Sequence, residues 1–193
     1  MRPKVVHLTV CLLILSQHGC DTREPEPPSQ DISTFNPPTS YEIVLRNLQY
    51  AIKEKNLTNY IRCFVDTSVR QYVFSSAEDA RGRFADVMNN WNLDAEQRYF
   101  RNLKEVMNGT PSLTFSDTLP TPIFVSADSA IYDLNYMLDV PHTRASVPKL
   151  MRGNMQLSIG TDSQRRWAIC YWRDSKTTAD TTWSYLKAIF SGS

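Results

Sequence analysis

The hydrophobic period of this chain changes near residue 110, and that change restricts the fold more than any other feature. Before it, apolar residues recur at the 3.6-residue spacing of amphipathic helices. After it, they alternate with polar residues over 130–140, 150–160 and 166–174, as in half-buried strands. Helices first, then antiparallel strands, predict an α+β fold in which helices pack on one face of a curved antiparallel sheet.

The helical part is predicted to begin with a hairpin. Apolar residues at helical spacing follow the capping-box pair Thr39 and Glu42, and a second, shorter helix follows Asn56. Further helices are predicted over 77–91 and 94–107, and a closing helix near Thr182. These elements predict one domain over 41–193.

Residues 1–19 have the organisation of a secretory signal peptide. Arg2 and Lys4 precede an uncharged stretch over 5–15. A transmembrane helix needs about 20 apolar residues, so this stretch is too short to span a bilayer and is predicted to be cleaved.

Gly19 and Cys20 resemble the end of a bacterial lipobox, in which the cysteine receives diacylglycerol and becomes the new N-terminus. Gln17 and His18 depart from that pattern, so an ordinary secretory signal with an incidental Cys20 is the alternative. Residues 20–40 are predicted to be a tether, because five prolines lie among few large apolar residues. The sequence thus predicts a lipid-anchored, extracytoplasmic protein, periplasmic or on the outer surface.

Composition argues against several classes of function. Lys and Arg total 21 against 20 Asp and Glu, with no basic cluster, so no nucleic-acid partner is expected. Six glycines and three histidines leave little material for a phosphate-binding loop or a multi-histidine metal centre. No cofactor and no metal site is therefore expected.

Cys63 and Cys170 are the cysteines beyond Cys11 and Cys20. In an oxidising compartment they could form one disulfide. Two separate buried thiols are the alternative, since a helix residue and a strand residue cannot be placed relative to each other from sequence.

The order of elements carries a family resemblance. A helical hairpin, a Trp-bearing helix, long strands, the segment 167–174 (WAICYWRD) and the segment 183–187 (WSYLK) resemble the NTF2-like superfamily, also called SnoaL-like or cystatin-like, and within it bacterial lipoproteins. The resemblance implies a conical pocket between the helices and the concave sheet face. Five aromatic residues are the candidates for lining it, with plain core packing as the alternative: Trp91, Tyr132, Tyr136, Trp167 and Tyr171.

The leading functional hypothesis is non-catalytic binding of a small molecule or a protein. An isomerase- or dehydratase-type enzyme is the second hypothesis; it would use a buried carboxylate such as Asp133 or Asp139 with a tyrosine. His142 could pair with Asp139 for acid/base chemistry, but a solvated turn histidine is the alternative.

A dimerising assembly module is the third hypothesis. Arg152, Asn154 and Gln156 lie on the polar side of an alternating strand and would face a second subunit.

Overall fold

The computed structural model describes residues 33–68, 70–177 and 181–192. Its helices are α1 (Tyr41–Lys53), α2 (Leu57–Ile61), α3 (Glu78–Arg83), α4 (Ala85–Met88), α5 (Leu93–Val106) and α6 (Trp183–Ser191). Its strands are β1 (Val73–Ser75), β2 (Ser112–Phe115), β3 (Phe124–Val125), β4 (Ser129–Asp139), β5 (Leu150–Thr161) and β6 (Trp167–Ser175). The predicted signal peptide, Cys20 and the first part of the predicted tether lie outside the described residues.

The strands form one sheet in the order β1-β6-β5-β4-β2, with β3 also paired to β4. All pairs are antiparallel except β1 with β6, which run parallel. Alternate residues of β4 point into the core, namely Tyr132, Leu134, Tyr136 and Leu138. The predicted α+β class, with helices packed on a curved and largely antiparallel sheet, is confirmed.

Helix ends follow local side-chain chemistry, although not always at the predicted residues. Asn92 caps α5 by accepting a hydrogen bond from the backbone N–H of Ala95. Asn56 caps α2 in the same way. The N-cap of α1 is Ser40, without a side-chain cap, rather than the predicted Thr39.

The helix predicted over 77–91 is interrupted. Phe84 leaves the helical region, with φ −129° and ψ 46°, so that α3 ends before it and α4 begins after it. Its ring then packs against Tyr185 of α6, with 5.7 Å between ring centroids. Tertiary packing therefore outweighs local periodicity at this point.

Residues 33–40, the end of the predicted tether, pack on the domain. Asn47 of α1 is buried, accepts a hydrogen bond from the Asn36 N–H and donates one to the Asn36 carbonyl. The Pro38 carbonyl accepts a hydrogen bond from the Trp167 N–H. This segment thus covers part of α1 and the start of β6.

Strict alternation ends within β6. The pairing of β5 with β6 shifts register between Ser158 and Ile159, which leaves Cys170 as an extra residue. Unbroken alternation over 166–174 would place Trp167, Ile169 and Tyr171 on one face of the strand, and the bulge ends that arrangement after Ile169. Trp172 is fully buried instead, and Tyr171 is only half-buried.

None of the described helices is long and apolar enough to cross a membrane.

Candidate functional site

A buried ion pair occupies the space between the helices and the concave face of the sheet. Lys187 of α6 and Glu96 of α5 have no exposed surface, and their Nζ and Oε1 atoms lie 2.5 Å apart. Glu96 also accepts hydrogen bonds from Tyr60, Tyr72 and Trp91, at 2.5, 3.2 and 2.7 Å. Each carboxylate oxygen thus accepts hydrogen bonds from two donors, and these contacts offset the cost of removing the charge from water.

Aromatic rings surround the ammonium group of Lys187. Its Nζ lies 3.9 Å from the ring centroid of Trp172 and 4.2 Å from that of Phe74, and three further rings lie within 6 Å. Burial lowers the pKa of Lys187, an effect that Glu96 opposes. The group is a cation held by one carboxylate and by the faces of the rings.

A second buried carboxylate, Asp174 of β6, secures the start of α6. Its Oδ2 accepts hydrogen bonds from the backbone N–H and hydroxyl of Ser184, at 2.6 and 2.5 Å. Its Oδ1 accepts one from the Tyr136 hydroxyl at 2.8 Å, and that hydroxyl accepts one from the Trp183 N–H. The pKa of Asp174 is raised because burial disfavours the charged form, and these hydrogen bonds offset part of that rise. The arrangement is that of a helix cap.

The five aromatic pocket candidates lie in different surroundings. Trp91, Tyr132 and Tyr136 are buried in the core. Trp91 donates a hydrogen bond to Glu96 and Tyr136 donates one to Asp174, while the Tyr132 hydroxyl has no hydrogen-bond partner among the described residues. Trp167 is buried at the edge of an open cleft. Tyr171 lies past the bulge, on the opposite side of β6 from the core residue Trp172.

The candidate catalytic carboxylates lie on the wrong face for a buried base. Asp133 and Asp139 are both exposed, and Asp133 accepts a hydrogen bond of 2.5 Å from Asn154 on the polar face of the sheet. Alternation along β4 places both residues opposite the core, so neither is the buried carboxylate that the enzyme hypothesis requires.

His142 is buried rather than solvated, which corrects the expectation of an exposed turn residue. It is 1% exposed, its Nε2 lies 3.3 Å from the Pro148 carbonyl, and its ring meets the ring of Phe190. Its Nδ1 atom is buried and has no hydrogen-bond partner in the part of the chain that the structure describes.

Cys63 and Cys170 are free thiols, so the structure has no disulfide between them. Cys63 is buried and contacts the Asn59 carbonyl, and burial raises the pKa of its thiol. Cys170 is half-buried at the bulge.

An open cleft of about 380 Å³ lies where the turn between β5 and β6 meets the residues that follow α2. Its buried lining includes Phe64, Val65 and Trp167, and its exposed lining includes Arg62 and Arg70. Small-molecule sites combine these elements, an apolar body with a few placed polar groups, at volumes of about 300–1,000 Å³. Within the described ranges, no group of three His, Cys, Asp or Glu side chains is placed to hold a metal ion.

Solved structures with the same architecture identify the fold. A candidate scytalone dehydratase from Novosphingobium aromaticivorans DSM 12444 superimposes with a TM-score of 0.53 at 13% identity, over 72% of this chain and 88% of that chain. An NTF2-like superfamily protein from Salmonella enterica serovar Typhimurium gives 0.50 at 10% identity, over 72% and 89%. The chain has the NTF2-like fold.

A candidate aromatic-ring hydroxylase from Novosphingobium aromaticivorans gives a TM-score of 0.51 at 8% identity, over 70% of this chain and 85% of that chain. No family model matches the sequence. No curated protein is significantly similar to it. The superpositions establish the NTF2-like architecture. At identities this low they carry no information on activity, which has to be argued from the residues of the site.

Sequence reasoning missed both buried carboxylates and the buried lysine, although the helix period contained a signal for two of them. Glu96 lies three and four residues before Tyr99 and Phe100, on the apolar stripe of α5. Lys187 lies four residues after Trp183 on that of α6. Charged residues in the middle of an apolar stripe are candidates for a buried pair.

Proposed function

We propose that this chain is a non-catalytic binding module, attached to the extracytoplasmic surface of a membrane through Cys20. We further propose that it takes a small molecule in the open cleft beside Trp167. The observation that carries the first part is the occupied interior of the NTF2-like fold, where the Glu96–Lys187 pair and its rings fill the space above the concave sheet face.

The buried carboxylates support a structural role. A general base needs a free lone pair within hydrogen-bond reach of the substrate proton. Glu96 accepts four hydrogen bonds from core side chains, and Asp174 accepts three that hold α6. We therefore expect the ligand to bind at the surface. The cleft beside Trp167 is lined by both buried apolar side chains and exposed cationic ones.

The membrane part of the proposal rests on the sequence before the domain. Arg2, Lys4 and the uncharged stretch over 5–15 precede Cys20. Ser33 lies thirteen positions after Cys20, and a proline-rich chain extends by roughly 3.1 Å per residue, about 40 Å over that distance.

Two cysteine variants test the anchor. The chain is produced with its own leader in a bacterial host, and the membrane and soluble fractions are separated. Cys20→Ser is expected to move the domain into the soluble extracytoplasmic fraction, and Cys11→Ser is the matched control that should leave it in the membrane. A Cys20→Ser chain that stays in the membrane fraction would overturn the lipid attachment.

Native mass spectrometry of the Cys20→Ser chain tests the binding site. A retained adduct of fixed mass is expected in that chain. The adduct should disappear in Ala168→Trp, which fills the cleft from β6, and should persist in Ala127→Trp, whose position is exposed and outside the cleft lining. An adduct that survives Ala168→Trp would place the ligand elsewhere.

A further inference from the structure

We propose that the ligand of the cleft is an anion with an apolar body, such as a carboxylate, sulfonate or phosphate on a hydrocarbon or ring system. This inference rests on the proposed binding function and names the chemistry of its ligand. It follows from two guanidinium groups, those of Arg62 and Arg70, at the edge of an apolar cleft.

Arg62 lies over an aromatic ring instead of against a carboxylate. Its guanidinium carbon is 3.9 Å from the ring centroid of Phe35, and its one side-chain hydrogen bond to a described residue, Asn59, is long at 3.5 Å. Within the described part of the chain it has no ion pair. A planar guanidinium held in this way keeps donors free for a bidentate contact with an anion.

Arg70 reaches across the end of the sheet into space that a glycine leaves open. Its Nη1 atom lies 3.6 Å from the Cys170 Sγ. A Cβ placed on Gly160 would collide with the same guanidinium. Among the described residues Arg70 also has no carboxylate partner, so its donors face a weak sulfur acceptor and solvent.

The acidic residues of the cleft do not neutralise these two cations. Asp162 is engaged by Arg166 in an ion pair of 2.8 Å. Asp66 accepts two hydrogen bonds from Ser68. The cleft therefore carries an excess of one positive charge, three arginines against two aspartates, beside an apolar surface. An anionic head group supplies the missing acceptor, and its apolar body covers the buried rings.

A matched pair of fluorescent probes separates charge from apolar contact. The first, 8-anilinonaphthalene-1-sulfonate, and the second, N-phenyl-1-naphthylamine, share one ring system, but only the first has a sulfonate. Both are titrated against the folded Cys20→Ser chain. The sulfonate probe is expected to bind about tenfold more tightly, the effect of roughly one charge-assisted hydrogen bond.

Arginine variants test whether Arg62 and Arg70 cause the tighter binding of the sulfonate probe. The double variant Arg62→Gln with Arg70→Gln should remove the advantage of the sulfonate probe and leave the neutral probe unchanged. The pair Arg98→Gln with Arg101→Gln removes the same charge from exposed positions on α5 and should change neither affinity. Arg62→Lys with Arg70→Lys keeps the charge without the planar fork and is expected to retain part of the preference.

The outcomes distinguish this inference from the proposed function. Equal affinities for the two probes, unaffected by the arginine variants and both abolished by Ala168→Trp, would overturn the anionic ligand and leave the cleft as a binding site. Failure of both probes to bind, or binding that Ala168→Trp does not change, would overturn the cleft itself.

Discussion

Replacing Glu96 with glutamine tests the central pair most directly. The substitution keeps the size of the side chain but removes the charge that faces Lys187 at 2.5 Å. The amide also turns one acceptor into a donor, so the two donors on that oxygen, either Tyr60 with Lys187 or Tyr72 with Trp91, lose their acceptor.

The expected loss is large because both groups are fully buried. Removing one member of a buried pair costs about 3–5 kcal/mol of unfolding free energy. One orphaned donor alone accounts for about 1–3 kcal/mol of that loss. In a domain of this size, each kcal/mol lowers Tm by about 2–4 °C. We therefore expect Glu96→Gln to melt about 10 °C below the parent chain.

The variant should also regain stability as pH rises. Burial already lowers the pKa of Lys187, and Glu96 opposes that shift. Without the carboxylate the folded-state pKa falls further below the unfolded value of about 10.4. Between the two pKa values the unfolded chain binds more protons, so stability increases with pH. From pH 7 to pH 10, Glu96→Gln should recover more unfolding free energy than the parent chain does.

Urea unfolding followed by circular dichroism measures these quantities for the parent chain, Glu96→Gln, Lys187→Met and the double variant. We expect the double variant to be more stable than the two single losses would predict, by at least about 1 kcal/mol, because it leaves no unpaired charge. Single losses below about 1 kcal/mol that simply add in the double variant would refute the interpretation of the pair.

Two glycines of β5 give contrasting predictions. Gly153→Ala should lower the unfolding free energy by about 1–3 kcal/mol in urea titrations, because the new Cβ meets a backbone carbonyl of the adjacent strand at 2.7 Å. The new Cβ of Gly160→Ala collides with the flexible end of Arg70 and is in ordinary contact, at 3.7 Å, with the Asp128 carbonyl. The substitution should therefore cost less than about 1 kcal/mol of unfolding free energy and should weaken binding of the sulfonate probe. A reversed order would contradict this account. Thiol labelling with peptide mapping should modify half-buried Cys170 in the folded chain and Cys63 only after unfolding. A Cys63 modified as fast as Cys170 in the folded chain would contradict its burial.

The regular part of the fold follows from hydrophobic period. The stripe of α1 and the alternation of β4 and β5 are strong enough to specify element type, and their order specifies an α+β layer. The break at Phe84 and the bulge at Cys170 depend on contacts with distant elements, so a local pattern contains no trace of them.

The residues of the candidate site were harder to predict from the sequence than the fold, for a physical reason. Charged residues are almost never fully buried unless they are paired, and the partner of Glu96 is 91 residues away. His142 shows the same limitation. A histidine beside a proline is typical of a solvated turn, and its burial depends on the ring of Phe190, which is distant in sequence. The cleft joins residues near positions 35, 62, 70 and 167, which no short motif connects.

The pairing of Glu96 with Lys187 joins two residues that are synthesised 91 positions apart. A chain made from its N-terminus presents α5 long before α6 exists. Until Lys187 emerges, Glu96 must remain hydrated, and the rings of Tyr60 and Trp91 cannot be sealed from water. Native contacts between such distant positions slow folding. A chain that ends before α6 therefore leaves the Glu96 carboxylate and the rings of Trp91 and Tyr99 without the contacts that Lys187 provides.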